Sequence, residues 1–571
     1  MTWHDPEVRN ARFRLQRWIL RATTIAAVVG LVAGLASCGA PRPDSKAARA
    51  EPVTITLPAG FFRKWPKPDL ALVLTGSMHG YLLPCGCSRP QLGGLERRYN
   101  FVQTLKQKGW PIVAVDVGDI PQREGPVKLP NHQGLLKYVY TMKAYQHIGY
   151  ASVGIGEYEA SLSLATTLGE WALNNPTPRV VVANLKDADA NFPEETKKWE
   201  LAKVDGTDVK VGVAGLVGRT VAKRMNHKDS HAVLTASGPA LDGVLKEMEE
   251  AKVDFRVLLY QGSQTLKFEP DPDEKPAKRK IEAEAVECAT AYPQFDVILC
   301  LSEEDEPPVY MMDVKNDQTG TTSYIVRLGQ KGKHVGVLGV YRNPQGKRPF
   351  SFKYELVELG EEYMTPPNQE ANHPVVKMME DYTRDLQKNN YLARYGQKNH
   401  LLQAMNPVPG LRNPGNGVPT YIGSKACGKC HEHAFDVWEK SPHSHAYQTL
   451  VDARRPSLRQ FDGECIVCHT VGFGYKSGFT SANQTKHLEN VGCESCHGPG
   501  SLHSKNPNDE EWKARMNQLW RGAAPNRKEF KIETELCITC HDTDNDVTWK
   551  HDKNYDPFKD KWGKIIHTTP R

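Results

Sequence analysis

Cys427-Gly428-Lys429-Cys430-His431, Cys465-Ile466-Val467-Cys468-His469, Cys493-Glu494-Ser495-Cys496-His497 and Cys537-Ile538-Thr539-Cys540-His541 repeat one pentad four times near the carboxy terminus. Two thiols three residues apart can add to the two vinyl groups of a single haem, and the histidine that follows is placed to ligate its iron. A lone pentad is compatible with half a zinc site. Four complete copies, each with its histidine, weigh against zinc knuckles and disulfides.

The pentads therefore predict four covalently attached haem c groups, held by Cys427, Cys430, Cys465, Cys468, Cys493, Cys496, Cys537 and Cys540, with His431, His469, His497 and His541 on the irons. This is the pattern of a multihaem c-type cytochrome. A unit of about 150 residues encloses little hydrophobic core of its own, so the porphyrins must supply most of the buried apolar surface. The expected architecture from residue 419 to 571 is mainly helices and loops. The ligand on the second face of each haem decides whether it shuttles electrons or binds a small molecule.

Around the pentads run Tyr421-Ile422-Gly423-Ser424, then Trp438, Ser441, His443, Ala446 and Tyr447, then Gly492 through Gly500 with His503. This text resembles the tetrahaem cytochrome c family of ammonia-oxidising bacteria, the electron acceptor of hydroxylamine oxidoreductase, over nearly the whole of 419–571. The resemblance implies three haems with two histidines each and one five-coordinate haem. It implies His443, His503 and His567 as distal ligands and makes the haem at Cys465 and Cys468 the five-coordinate one. His445, two residues from His443, competes for the first role, His551 is a weaker candidate, and His433 and His487 read as solvated surface.

The amino terminus reads as an export signal. Arg9, Arg12, Arg14, Arg17 and Arg21 precede an apolar stretch, Ala22 to Ala36, too short to read comfortably as a membrane span. It ends at Leu35-Ala36-Ser37-Cys38-Gly39, which resembles the bacterial lipoprotein box and implies lipidation of Cys38 and a membrane-anchored protein outside the cytoplasm, on the periplasmic side or at the cell surface. Residues 1–37 are then the signal peptide and 38–66, rich in Pro, Ala and charge, a tether. Of thirteen cysteines, eight lie in pentads and one in this box, leaving Cys85, Cys87, Cys288 and Cys300, whose pairing the sequence does not fix. A net charge of +6, spread among nearly equal numbers of acids, offers no basic stripe for nucleic acid.

From Leu70 to Leu359 short β-branched or apolar runs alternate with helix-length segments. The runs are Leu70–Thr75, Ile112–Val117, Val180–Ala183, Val209–Leu216, Phe255–Tyr260, Val297–Leu301 and Tyr324–Leu328, with helices expected at Leu95–Lys108 and Ala240–Ala251. This predicts buried strands in an α/β layered domain over 67–360. The charged, proline-bearing stretch Lys267–Glu287 reads as an exposed loop. Residues 361–418 read as a polar helix with Val375, Val376, Met379 and Tyr382 on one face, followed by a linker of turn formers at 406–417.

Within that domain, Thr75-Gly76-Ser77-Met78-His79-Gly80, Gly93-Gly94-Leu95-Glu96-Arg97-Arg98, Val115-Asp116-Val117-Gly118-Asp119 and Gly154-Ile155-Gly156-Glu157 follow the order of the exported 5'-nucleotidase branch of the calcineurin-like metallophosphoesterases. The resemblance implies that fold with a depleted ligand set. Ser77 stands at the first aspartate, Ile155 and Gly156 at an Asn-His pair, Gln261 at a histidine, and Ser302-Glu303 at a Gly-His-x-His. His79 and Asp119 alone survive clearly, too few for two metals. Cys85 and Cys87 lie beside this site, with a metal, a redox role, disulfides to Cys288 and Cys300 or buried thiols all open.

The expectation is thus an exported tetrahaem electron carrier of a respiratory chain, with redox proteins as donors and acceptors and a non-catalytic nucleotidase-like domain. Two alternatives stand beside it: a haem oxidoreductase acting on a small nitrogen or sulfur compound, and an active metallophosphoesterase fused to a cytochrome.

Overall fold

The computed structural model describes residues 60–84, 87, 89–172, 175, 177–187, 196–229, 232–263, 284–346, 348–404, 417–521, 537–542 and 544–546. The expected signal peptide, Cys38, most of the expected tether, Cys85, His551 and His567 lie outside them. Contacts divide the chain into residues 1–51 and a unit of residues 52–571, which holds every described residue.

Fourteen strands occur among the described residues: β1 (Leu70–Thr75), β2 (Ile112–Asp116), β3 (Tyr150–Val153), β4 (Arg179–Val180), β5 (Leu185–Asp187), β6 (Trp199–Ala202), β7 (Val211–Val217), β8 (Ala232–Leu234), β9 (Phe255–Ser263), β10 (Val297–Leu301), β11 (Met312–Lys315), β12 (Thr322–Val326), β13 (His334–Arg342) and β14 (Phe350–Glu358). Two six-stranded mixed sheets result, ordered β14-β13-β1-β2-β3-β4 and β11-β12-β10-β9-β7-β6. β1 runs parallel to β2, with Leu72 opposite Val113, and antiparallel to β13, with Leu72 opposite Leu338.

Side chains alternate across a strand, and in β1 both faces are used for packing. Leu70, Leu72 and Leu74 join the core between the two sheets, together with Val213, Val257, Leu259 and Leu299 of the second sheet. Ala71 and Val73 join the core on the other face, where helices Leu95–Gln107, Gly134–Ile148 and Pro374–Lys388 pack. Helices Ser237–Glu250 and Glu284–Ala291 cover the outer face of the second sheet. The expected α/β layers are present as helix, sheet, sheet, helix.

Three details differ from the sequence expectation. β13 and β14 form a long antiparallel pair that the apolar-run reading passed over. The carboxy end of the expected loop 267–287 is helical from Glu284, whereas 264–283 lie outside the described residues. The helix after residue 361 is confined to Pro374–Lys388 and buries Val375, Met378, Met379, Tyr382 and Leu386 but not Val376, and these join the core of the amino-terminal sheets.

Candidate functional site

The pentads sit on short helical turns, which bring residues three apart to one face. Cys465, Cys468 and His469 belong to helix Gly463–His469, whose first turn is capped by the Asp462 carboxylate accepting from the Glu464 N–H at 2.9 Å. Cys493 and Cys496 lie on helix Cys493–His497, and Cys537 on a 3₁₀ turn that carries the His541 N–H to the Cys537 carbonyl at 2.8 Å. The His431 N–H likewise donates to the Cys427 carbonyl at 3.0 Å.

Thiols and imidazoles of different pentads meet around one cavity of about 1500 Å³, whose lining includes Cys465, Cys468, His469, Cys496, Cys537, Cys540, His541 and His443. That volume exceeds the roughly 300–1,000 Å³ usual for one drug-sized ligand. The pentads approach in pairs: the Cys427 thiol is a neighbour of Cys493, and the Cys468 thiol of Cys540. The neighbouring Cys427 thiol pulls Cys493 down to about 7.

Two expected distal histidines face pentad histidines. The rings of His431 and His503 have centroids 6.0 Å apart and those of His443 and His541 6.2 Å apart. Two imidazoles bonded to one metal from opposite sides, at about 2.0–2.1 Å each, place their centres about 6 Å apart, so these pairs fit axial ligation of an iron. Burial lowers His443 to about 4, with His541 and His469 adding to it, which keeps the ring neutral as a ligand must be. His541 binds the Asp546 carboxylate through Nδ1 at 2.9 Å, and His469 Nδ1 lies 2.5 Å from the Ala446 carbonyl. Both arrangements leave Nε2 for a metal. Among the described residues no other ring stacks on His469.

The sequence reading missed the groups that hold these turns. Glu494, inside the third pentad, accepts from the Ile422, Gly423 and Gly500 N–H groups at 2.9, 2.7 and 2.7 Å and so ties the first pentad's approach to the third. Burial raises its carboxyl, against those N–H donors. Lys137 of the sheet region pairs with Glu464 beside the second pentad, and Gln133 donates to Asp462 at 3.0 Å. An acid between the pentad cysteines was the available signal for Glu494. Nothing in the local sequence marks Lys137 or Gln133.

The cleft of the amino-terminal region is filled differently. The Gln261 amide donates to the Val117 carbonyl at 2.5 Å, and a Cβ at Gly156 would lie 2.3 Å from Gln261 Oε1 and 2.5 Å from Asp119 Oδ1. Protein atoms thus take the space a histidine at position 156 would need. His79 stacks on Tyr158 at 4.3 Å, and burial lowers it to about 3. Burial raises Asp119 to about 7, although the Tyr158 N–H bonded to it works the other way. Ser302 donates to Glu304 at 2.7 Å. Among the described residues no three His, Cys, Asp or Glu side chains converge on a metal position. Cys288 and Cys300 are buried, the Cys300 thiol donating to the Val326 carbonyl at 3.6 Å, and the Cys87 thiol donates to Asn545 Oδ1 at 3.5 Å.

Residues 426–498 match the family of cytochrome c554 and c-prime. Over 154 residues the chain is 32% identical to cytochrome c-554 of Nitrosomonas europaea, a match spanning 24% of this chain and 65% of that protein, less than two thirds of its length. The carboxy-terminal region is thereby similar to c-type cytochromes, a class with covalently bound haem c whose work is electron transfer. Solved structures similar to this chain include a 5'-nucleotidase precursor from Thermus thermophilus, at 17% identity and TM-score 0.44 over 56% of this chain and 59% of that one. A calcineurin-like phosphoesterase from Bacillus subtilis aligns at 13% identity and TM-score 0.41, over 56% of this chain and 98% of its own. Among the described residues no helix is long and apolar enough to cross a membrane.

Proposed function

We propose that this chain is an exported, lipid-anchored tetrahaem electron carrier, anchored through Cys38, that passes electrons between redox proteins. Cys427, Cys430, Cys465, Cys468, Cys493, Cys496, Cys537 and Cys540 hold four haem c groups, and His431, His469, His497 and His541 ligate the irons. His503 is the distal ligand opposite His431, His443 the one opposite His541, and His567 remains for the third pentad. The observation that carries this reading is the ring spacing of 6.0 and 6.2 Å in the two histidine pairs, which suits an iron between them. The thiol contacts supplement it: first with third pentad and second with fourth, they suggest two closely spaced haem pairs, as hopping requires. The chain's residues then set potentials through axial ligands and burial and fix the spacing. Residues 67–360 act as a scaffold without phosphoesterase chemistry, a reading supported by Gln261 and Asp119 occupying the cleft.

A second reading draws on His469, whose ring has no stacked partner among the described residues. A haem there would be open on one face and able to bind a small nitrogen or sulfur compound. One experiment tests both: a reductive titration of the matured protein followed by electron paramagnetic resonance, with haem counted as the pyridine haemochrome. Four haems, three low-spin and one high-spin, are expected. Four low-spin centres would remove the second reading, and a protein left colourless by acid–acetone extraction or holding zinc would remove both.

A further inference from the structure

The turn following the fourth pentad is built around one aspartate. The Asp542 carboxylate accepts from the Asp544 N–H at 3.0 Å, the Asn545 N–H at 2.7 Å and the Asn545 side-chain amide at 3.0 Å, and the Asp546 N–H closes the turn on the Asp542 carbonyl at 2.9 Å. The geometry delivers the buried Asp546 carboxylate to His541 Nδ1 at 2.9 Å.

This turn does not stand alone. Its outer side is gripped by the amino-terminal region more than two hundred residues away in sequence. Lys331 forms an ion pair with Asp544, the Tyr81 hydroxyl donates to the same carboxylate at 3.2 Å, and the Cys87 N–H donates to the Asn545 carbonyl at 3.2 Å. Lys331 and Asp544 are both mostly buried, so the pair is screened far less than a surface one. Tyr81, Cys87 and Lys331 line the pentad cavity together with His79, and the Lys331 N–H donates to the Ser77 carbonyl at 2.7 Å.

We infer that the amino-terminal region sets the reduction potential of the fourth haem, by clamping residues 541–546 so that the Asp546 carboxylate stays bonded to His541. The inference rests on the reading of Cys537, Cys540 and His541 as a haem site. The physical reason is electron donation. A carboxylate accepting the Nδ1 proton makes an imidazole a more basic ligand, which favours the oxidised metal and lowers the potential. At the second pentad the equivalent acceptor is the neutral Ala446 carbonyl, so the same lever is weaker there. Lys331 and Tyr81 are positioning residues: both bind the Asp544 carboxylate of the turn and act by fixing it.

The test uses full-length, matured protein and a potentiometric titration read by absorbance and electron paramagnetic resonance. The fourth-haem transition is the one missing from a Cys537→Ala/Cys540→Ala variant. Asp546→Asn removes the charge and keeps the shape, and should move that transition upward while the other three stay in place. Lys331→Met should move the same transition in the same direction, Tyr81→Phe less so, and Lys331→Arg should restore it. Haem per chain checks that each variant has matured. If Asp546→Asn moves no transition, the histidine–carboxylate lever is wrong. If Asp546→Asn moves it but Lys331→Met and Tyr81→Phe leave it in place, the clamp is wrong. A fourth pentad that carries no haem in the unaltered protein would instead overturn the haem assignment on which both depend.

Discussion

The amino-terminal sheets and the carboxy-terminal pentad region solve the problem of an interior in opposite ways. The sheets enclose three clusters of buried apolar side chains, and where a ligand cleft would open, Gln261 and Asp119 fill it. The pentad region has one smaller cluster, which includes Leu129 and Tyr395 from outside residues 419–571, beside a cavity of about 1500 Å³ edged with thiols and imidazoles. One region is stable through its own side chains. The other is shaped to receive something, and covalent haem supplies the apolar surface its sequence lacks.

The largest effect that could break this contrast comes from removing one haem. Cys465→Ala/Cys468→Ala should lose one of the four proposed haems by pyridine haemochrome, and limited proteolysis should cut within 419–546 while a fragment spanning the sheets resists. If both regions became equally susceptible, or neither did, the contrast would be wrong. Next in size is the buried ion pair under β1 and β2. Arg98 and Asp116 are both fully buried, 3.9 Å apart, and Asp116 also accepts from Thr75 at 2.6 Å and Tyr145 at 2.7 Å. Arg98→Met strands that carboxylate and should cost about 3–5 kcal/mol in urea unfolding of the sheet region, with haem content unchanged.

The smallest expected effect is a pH dependence that sharpens how the sheets hold the helix Pro374–Lys388. His373 caps that helix through Nδ1, accepting from the Val376 N–H at 3.1 Å, and its Nε2 meets Asn100 at 2.9 Å. Burial lowers it to about 4. An unfolded histidine takes its proton near 6.5, so the unfolded chain binds more protons between the two values, and stability falls as pH drops from about 6.5 toward 4. The loss should reach about 2–3 kcal/mol. Thermal unfolding across this window would show it, and His373→Asn, which keeps a capping oxygen, should flatten it; an unaltered slope would assign the dependence to other groups.

Much of the sheet region was legible because its strands are short apolar runs between turn formers: β1 and β10 match the expected Leu70–Thr75 and Val297–Leu301 to the residue. β13 escaped because Gly336 and Gly339 interrupt its run, and glycine weakens a strand signal. Tertiary packing explains them. A Cβ at Gly339 would lie 2.9 Å from the Trp65 ring, and one at Gly336 2.7 Å from Leu328. The filled cleft was legible as missing ligands, but not as a space occupied by Gln261, since only the fold brings residues 117, 119, 156 and 261 together.

For the pentads, sequence determined everything that three-residue spacing can dictate: which thiols pair and which imidazole stands beside them, because one turn of backbone sets their geometry. It could not say which pentad histidine each proposed distal histidine faces. His503 follows the third pentad by six residues yet its ring faces His431 of the first, and His443 follows the first yet faces His541 of the fourth. Those pairings, like the grip of Lys331 on Asp544, join points far apart along the chain, and only the packing of the folded molecule brings them within reach.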